Sequence, residues 1–280
     1  MLPNTMKTRF HTLLSSTFRP LSAILCAAAL LALCGAGCSK DTKCAGDTCR
    51  DTTRQIYEWR VYTLTGDGAA LDAYFAQTLV PAYNRLGVQA GAFQPMKLNA
   101  GEAQRRYLFF VYPSIAEYLK VKREIWRDTA FRAAAQAFFD SSAAKPEYSN
   151  FESYLCEAFS NMPKMRAVDK SRGMFELRVY RSPNEEANQR KISMFNDDTE
   201  IQLFDDAGIN SVCYGETLAG PRMPSLVYLT WYETPEKRDA AWKKFGADPR
   251  WKQLRKSPKY ARTATDNTIQ LLLPLPYSQF

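Results

Sequence analysis

The chain has 280 residues, 46% apolar and 24% charged, a globular makeup with length enough for a sizeable core. Its 37 Lys and Arg against 29 Asp and Glu give +8, without the clustered basic face that a nucleic-acid partner needs. The single histidine, His11, falls in a segment read as a removable leader. A chain without imidazole has no His base, no Ser-His-Asp or Cys-His nucleophile and no His-ligated zinc or haem.

The leader spans 1–37. Lys7, Arg9 and Arg19 are the only charged residues before Lys40, an apolar run follows from Leu21 to Ala36, and small residues close it at Gly35-Ala36-Gly37. A basic head, apolar middle and small-residue exit make a secretory signal. Cys38 directly after it resembles the lipobox cysteine of bacterial lipoproteins, although Gly35 stands where that motif usually has Leu. Lipidation there would make the membrane a partner and place the protein on the periplasmic or outer-membrane face. Plain secretion and an uncleaved anchor helix are the alternatives, the latter with an apolar run short of the roughly 20 residues that span a bilayer. Loss of the leader leaves 34 basic against 29 acidic residues, or +5.

Residues 38–55 read as a polar tether. Cys44 and Cys49 within it are candidates for a small disulfide loop in an oxidising compartment. Cys156 and Cys213 fall in predicted strands as buried small apolar residues, and no pair of C-x-x-C motifs suggests a zinc site. No metal and no cofactor is expected.

The remainder is one unit written twice, 56–160 and 174–280, joined by a linker at 161–173. Tyr57-Glu58-Trp59-Arg60-Val61-Tyr62 is echoed 118 positions on by Phe175-Glu176-Leu177-Arg178-Val179-Tyr180. Leu86-Gly87-Val88 is echoed by Ala207-Gly208-Ile209, Tyr112-Pro113-Ser114 by Tyr232-Glu233-Thr234, and Phe131 by Trp251, in the same order and at nearly constant spacing. Each copy opens with a strand of period two. In the first copy Leu71, Tyr74, Phe75, Thr78, Leu79 and Ala82 then form one helical stripe, which Ile192, Phe195 and Leu203 repeat more loosely in the second. Gly87 and Gly208 end these helices. Two strands follow, 88–97 with 106–112 and 209–218 with 225–232. Ser114 with Glu117, and Thr234 with Pro235, open the next helices. A further short helix, begun in the second copy at Asp248-Pro249, precedes a final strand, 149–159 and 268–273. The order β-α-β-β-α-β is the ferredoxin-like unit, with one bare sheet face per copy. Two copies packed sheet to sheet give an α+β barrel with helices outside.

The opening strands, with Tyr232-Glu233-Thr234, Ala247-Asp248-Pro249-Arg250-Trp251 and the ending Leu272-Leu273-Pro274 through Tyr277-Ser278, resemble the NIPSNAP family of the dimeric α/β-barrel superfamily. The resemblance is sharper in the second copy: Arg127-Asp128-Thr129-Ala130-Phe131 stands in the first where Asp-Pro-x-Trp would be expected, and Tyr228 and Thr230 stand where the family often has His and Trp. It implies the intrachain version of the superfamily's barrel and no settled activity. The superfamily includes cofactor-free monooxygenases, haem-degrading enzymes and small-molecule binders.

Alternation sends Tyr57, Trp59 and Val61 one way and Glu58, Arg60 and Tyr62 the other, and Glu176, Arg178 and Tyr180 repeat the polar set. The apolar set is expected under the helices and the polar set in the barrel lumen. Two Glu, two Arg and two Tyr there could hold an anionic or phenolic ligand, could supply a Glu base with Tyr to orient a substrate, or could simply pair with one another. Asp197, Asp198, Glu200, Asp205 and Asp206 lack calcium-loop spacing and read as a solvated helix face. The expectation is an exported barrel at the cell envelope that binds a small molecule or serves as a scaffold. A metal-free enzyme of monooxygenase or isomerase type and a structural envelope lipoprotein are the alternatives. A homodimer is allowed but not required.

Overall fold

The computed structural model describes residues 53–168 and 173–280. The leader, Cys38, Cys44 and Cys49 lie outside the described residues.

The alternating, aromatic and β-branched openings of the two repeats become β1 (Ile56–Leu64) and β5 (Met174–Arg181). After β1 come α1 (Ala69–Tyr74), a π turn (Phe75–Leu79), α2 (Val80–Arg85), β2 (Gln89–Pro95), β3 (Arg105–Tyr112), α3 (Ile115–Glu124), α4 (Thr129–Ala144) and β4 (Tyr148–Ala158). After β5 come α5 (Glu185–Asn196), α6 (Glu200–Ala207), β6 (Asn210–Ala219), β7 (Ser225–Tyr232), α7 (Pro235–Ala247), α8 (Pro249–Leu254), a 3-10 turn (Pro258–Tyr260) and β8 (Asp266–Pro274). The caps act as expected. Ser114 accepts from the Glu117 amide and Thr234 from the Lys237 amide, and Gly87 and Gly208 end α2 and α6 at φ of 76° and 87°.

Three details differ from the expectation. The first stripe is one helical run interrupted by the π turn, with Phe75 and Leu79 still buried. Its counterpart is two helices, broken before Glu200 where Thr199 adopts φ 71°. The short helix of the first copy runs to 16 residues, because Asp128 caps it through the Phe131 amide and Phe131 and Ala135 carry a buried stripe onward.

All eight strands close one barrel in the order β1-β3-β2-β8-β5-β7-β6-β4, every pair antiparallel. Each half supplies four strands, its first flanked by its third and fourth. The halves meet at two seams, β4 on β6 and β2 on β8, the latter only from Phe93↔Pro274 to Pro95↔Leu272. The C-terminal tail extends that seam: Ser278 Oγ and Gln279 Oε1 accept from the Ala92 and Ala90 amides. Closure leaves no open edge among the described strands. Among the described residues no helix is long and apolar enough to cross a membrane.

Three cores result. Trp59, Phe93, Phe109, Leu177, Leu229 and Leu272, from both halves, form the core of the lumen. Tyr62, Phe110 and Tyr112 pack outward against Leu71, Phe75 and Tyr83 of the first helical layer. Tyr214, Tyr228 and Tyr232 do the same against Phe195, Phe204 and Phe245 of the second.

This reverses the expected facing of the opening strands. Tyr57, Trp59, Val61, Phe175, Leu177 and Val179 point into the lumen, while Glu58, Arg60, Tyr62, Glu176, Arg178 and Tyr180 lie on the outer face beneath the helices. An eight-stranded barrel is just wide enough to be filled by its own side chains, and only the helix-covered face brings in donors to satisfy a buried carboxylate. Cys156 and Cys213 are buried in the lumen as free thiols, and burial pushes Cys156 up to about 12.

Candidate functional site

The six predicted residues form two networks, one in each half. In the first, Arg60 forks onto Glu58 at 2.8 and 3.0 Å and donates to the Tyr83 hydroxyl at 2.8 Å. Tyr112 donates to Glu58 at 2.7 Å, and Lys122 Nζ stands 3.7 Å away. Burial alone would raise the Glu58 pKa, but Arg60 outweighs it and holds the carboxyl below its ordinary value. Tyr62 packs beside this network, and burial pushes its hydroxyl up to about 12.

In the second, Glu176 accepts from Arg178 Nε at 2.7 Å, from Arg238 at 2.8 and 2.9 Å and from Trp242 Nε1 at 2.9 Å. Burial raises this carboxyl too, and the Arg238 hydrogen bonds, Arg178 and Trp242 together bring it below the ordinary value. Arg178 also donates to the Tyr180 hydroxyl at 2.9 Å, which accepts from Tyr228 at 2.8 Å. With two to four donors each, Glu58 and Glu176 anchor the sheet to its helices, and their lone pairs are occupied.

The second network borders a cavity of about 300 Å³ between the outer face of the sheet and α5–α8. Arg178 and Tyr180 reach it from β5, Lys191 and Glu200 from α5 and α6, Trp242 and Trp251 from α7 and α8. The Arg178 guanidinium lies 3.8 Å from the Trp242 ring centroid, a stacked cation–π contact. Lys191 Nζ meets Glu200 Oε2 at 3.0 Å with both side chains buried. Burial of Glu200 outweighs the attraction of Lys191, so this carboxyl titrates above its ordinary value. It directly follows Thr199, a β-branched residue in the left-handed region, where backbone strain collects at functional sites. Arg255 lines the same cavity, is exposed, and makes no ion pair among the described residues. Three cations, Arg178, Lys191 and Arg255, line this space with one carboxylate, Glu200, while Arg238 stands behind them paired with Glu176 and Asp239. The arrangement can hold a flat organic anion: indole and phenyl faces for its body, a guanidinium for its acid group, and the Lys191–Glu200 pair for a polar substituent.

The first half has a counterpart of about 190 Å³ reached by Arg60 and Tyr62, but its other walls are mostly aromatic, with Leu71, Leu79 and Ile125 among them. Tyr74 stacks on Phe138 at 4.2 Å, and Lys122 is the one further charged side chain lining it. The two cavities share a position in the repeat and differ in chemistry.

Lys191, Glu200, Arg238, Trp242 and Arg255 were not anticipated as site residues. The sequence groups Glu200 with a solvated helix face, but Glu200 is buried and Asp197 and Asp198 lie in the turn before α6; Asp198, Asp205 and Asp206 do pair with surface cations. The signal was present in the spacing. Glu200 falls on the stripe continued by Leu203, Phe204 and Ala207, Lys191 on that of Ala187, Ile192 and Phe195, and Arg238 on that of Ala241 and Phe245. A charge on an apolar stripe points inward and needs a partner there.

One antiparallel eight-stranded barrel, made of two four-stranded sheets each under its own helices, defines the class of dimeric α/β barrels. Two solved structures share the fold. A proposed monooxygenase from Fusobacterium nucleatum matches at TM-score 0.53 and 9% identity over 80% of this chain and 93% of its own. Another from Lactobacillus acidophilus matches at 0.53 and 9% over 79% and 94%. Residues 175–279 match the NIPSNAP family model, so the second half is a NIPSNAP domain, and the helix-covered polar cavity lies within it. A NIPSNAP family protein of unknown function from Agrobacterium tumefaciens is 21% identical over 40% of this chain and 96% of its own, at TM-score 0.35. No curated protein matches the chain in sequence.

Proposed function

We propose that the protein is a small-molecule-binding barrel held at the cell envelope, with the cavity of its NIPSNAP domain as the binding site and an aromatic organic anion as the ligand. The observation that carries this reading is the cavity of about 300 Å³ in which Arg178 is stacked on Trp242 while Arg255 is left without a carboxylate among the described residues. An apolar cavity of about 150 Å³ holds one benzene ring, so this space suits a ligand of about two rings. The basic leader and Cys38 support export and a lipid anchor on the periplasmic or outer-membrane face. Native mass spectrometry of protein purified from its own host tests the reading. The wild type should retain an anionic adduct that Arg255→Glu loses. A wild type free of adduct that also fails to take up an aromatic sulfonate would count against it.

One observation favours a second reading, a metal-free acid–base enzyme at the same site. Glu200 is a cavity-lining carboxyl with a raised pKa, held by a lysine, the environment of a general acid. Under this reading Glu200→Gln would abolish turnover of the bound compound while leaving its retention intact.

A further inference from the structure

The barrel lumen has two unlike ends. At one, the Phe280 ring packs 5.8 Å from Phe109, and Met165 and Val168 of the linker lie against the lumen core. Backbone bonds fix this plug: Met165 N–H to Gln55 Oε1 at 2.7 Å, Arg166 N–H to the Val212 carbonyl at 2.9 Å, and Gln279 N–H to the Ala90 carbonyl at 3.1 Å. At the other end, where β1 and β5 finish, the core stops short and leaves a cavity of about 190 Å³. The lumen is a cup stoppered at one end and open at the other.

The open end is not finished as a hydrophobic core would be. Its base is Trp59, 2% exposed and stacked on Phe109 at 4.3 Å, hence a fixed aromatic platform. Tyr107 and Tyr154 stand over it from β3 and β4, and Leu177, Val179 and Val227 close the far side from the other half. The Tyr154 hydroxyl has no hydrogen-bond partner among the described residues, whereas the Tyr107 hydroxyl reaches Gln270 at 3.4 Å and stands beside the Arg105 guanidinium. Three charged side chains line the opening. Arg222 is held by Asp266 at 3.1 Å, Glu152 is exposed to solvent, and Arg105 is half-buried with no ion pair among the described residues. A half-buried guanidinium is stronger toward an opposite charge than an exposed carboxylate, which water screens.

We infer that the open end of the barrel binds a single-ring aromatic acid, its ring on Trp59 between Tyr107 and Tyr154 and its carboxylate on Arg105. The size follows from the volume: about 150 Å³ takes benzene, and about 190 Å³ takes the ring with a small acid group. The unpartnered hydroxyl of Tyr154 would receive a ring substituent, and Tyr107 would help hold Arg105 toward the carboxylate. This site is separate from the NIPSNAP cavity and shares none of its residues.

Isothermal titration of the full chain with benzoate tests it, with benzylamine as the cationic control. Benzoate should bind saturably and benzylamine should not. Arg105→Glu should weaken benzoate at least 10-fold, and Val61→Trp, which fills the cavity, should abolish it. These comparisons are made in an Arg255→Glu background, which disables the other cavity, so the two sites stand or fall separately. Absence of saturable benzoate binding at millimolar concentration, preference for benzylamine, or equal affinity in Arg105→Glu would overturn the inference. The last comparison holds even if Val61→Trp does not fold.

Discussion

Glu176 shows what a buried carboxylate does in this protein. It takes hydrogen bonds from Arg178, Arg238 and Trp242 and so ties β5 to α7. Removing one partner of a buried ion pair leaves an uncompensated charge, at a cost of roughly 3–5 kcal/mol. Glu176→Gln is expected to lose about 3 kcal/mol at neutral pH by urea denaturation. The pH dependence has a defined sign. The folded pKa lies below the ordinary 4.5, so the stabilisation is present above 4.5 and is lost as pH falls through the folded value. Stability measured from pH 6 to pH 3 should therefore fall less steeply in Glu176→Gln than in the wild type. An unchanged slope would show that Glu176 is not held in its charged form by the fold. Glu200 has the opposite sign. Its raised pKa costs stability as pH rises above 4.5 through the folded value, a cost an ordinary structural carboxylate would not carry.

At the scale of elements, strand and helix positions were legible because both periodicities were strong and the caps were of ordinary chemistry. Period two at 57–62 marked a strand, and Ser114, Thr234, Gly87 and Gly208 marked helix ends. The facing of the strands was not legible. Both faces of β1 and β5 are buried, and both carry aromatics, so polarity alone could not say which one looks into the barrel. That depended on where the helices deliver donors, through Tyr83, Lys122, Arg238 and Trp242, none of them within the strands. The tail was equally hidden. Nothing in Leu275 to Phe280 announces that Ser278 and Gln279 complete β2 or that Phe280 stoppers the lumen. Gly91 is the strand position that makes room for it: a Cβ there would lie 2.6 Å from the Phe280 ring and 2.8 Å from that of Phe93. Gly91→Val should cost about 1–3 kcal/mol through overpacking. Deleting 278–280 should also destabilise the chain, and should remove the part of the Gly91→Val effect that comes from Phe280, leaving the part from Phe93. A strictly additive double variant would contradict the contact.

For the whole molecule, each half is a sheet that cannot close on itself. β2 and β6 occupy equivalent places, as do β4 and β8, and the seams join unlike members of these pairs. A single half therefore carries both complementary edges. Residues 174–280 expressed alone should pair with a second copy through β6 and β8, giving a dimer by light scattering; a well-folded monomer would contradict this. The two helix-covered cavities differ, one mostly aromatic and one the polar site of the NIPSNAP domain. The matching strand arrangement of the two halves was readable from the 118-residue echo. The difference between the cavities was not, because the residues that make the polar site come from four helices and one strand of the second half. The binding claim for that site is tested most directly by fluorescence titration of the full chain with naphthalene-1-sulfonate, a two-ring aromatic anion. The account predicts saturable binding in the wild type, weakened at least 10-fold by Arg255→Glu and unaffected by Arg105→Glu. Equal affinity in the wild type and Arg255→Glu would contradict it.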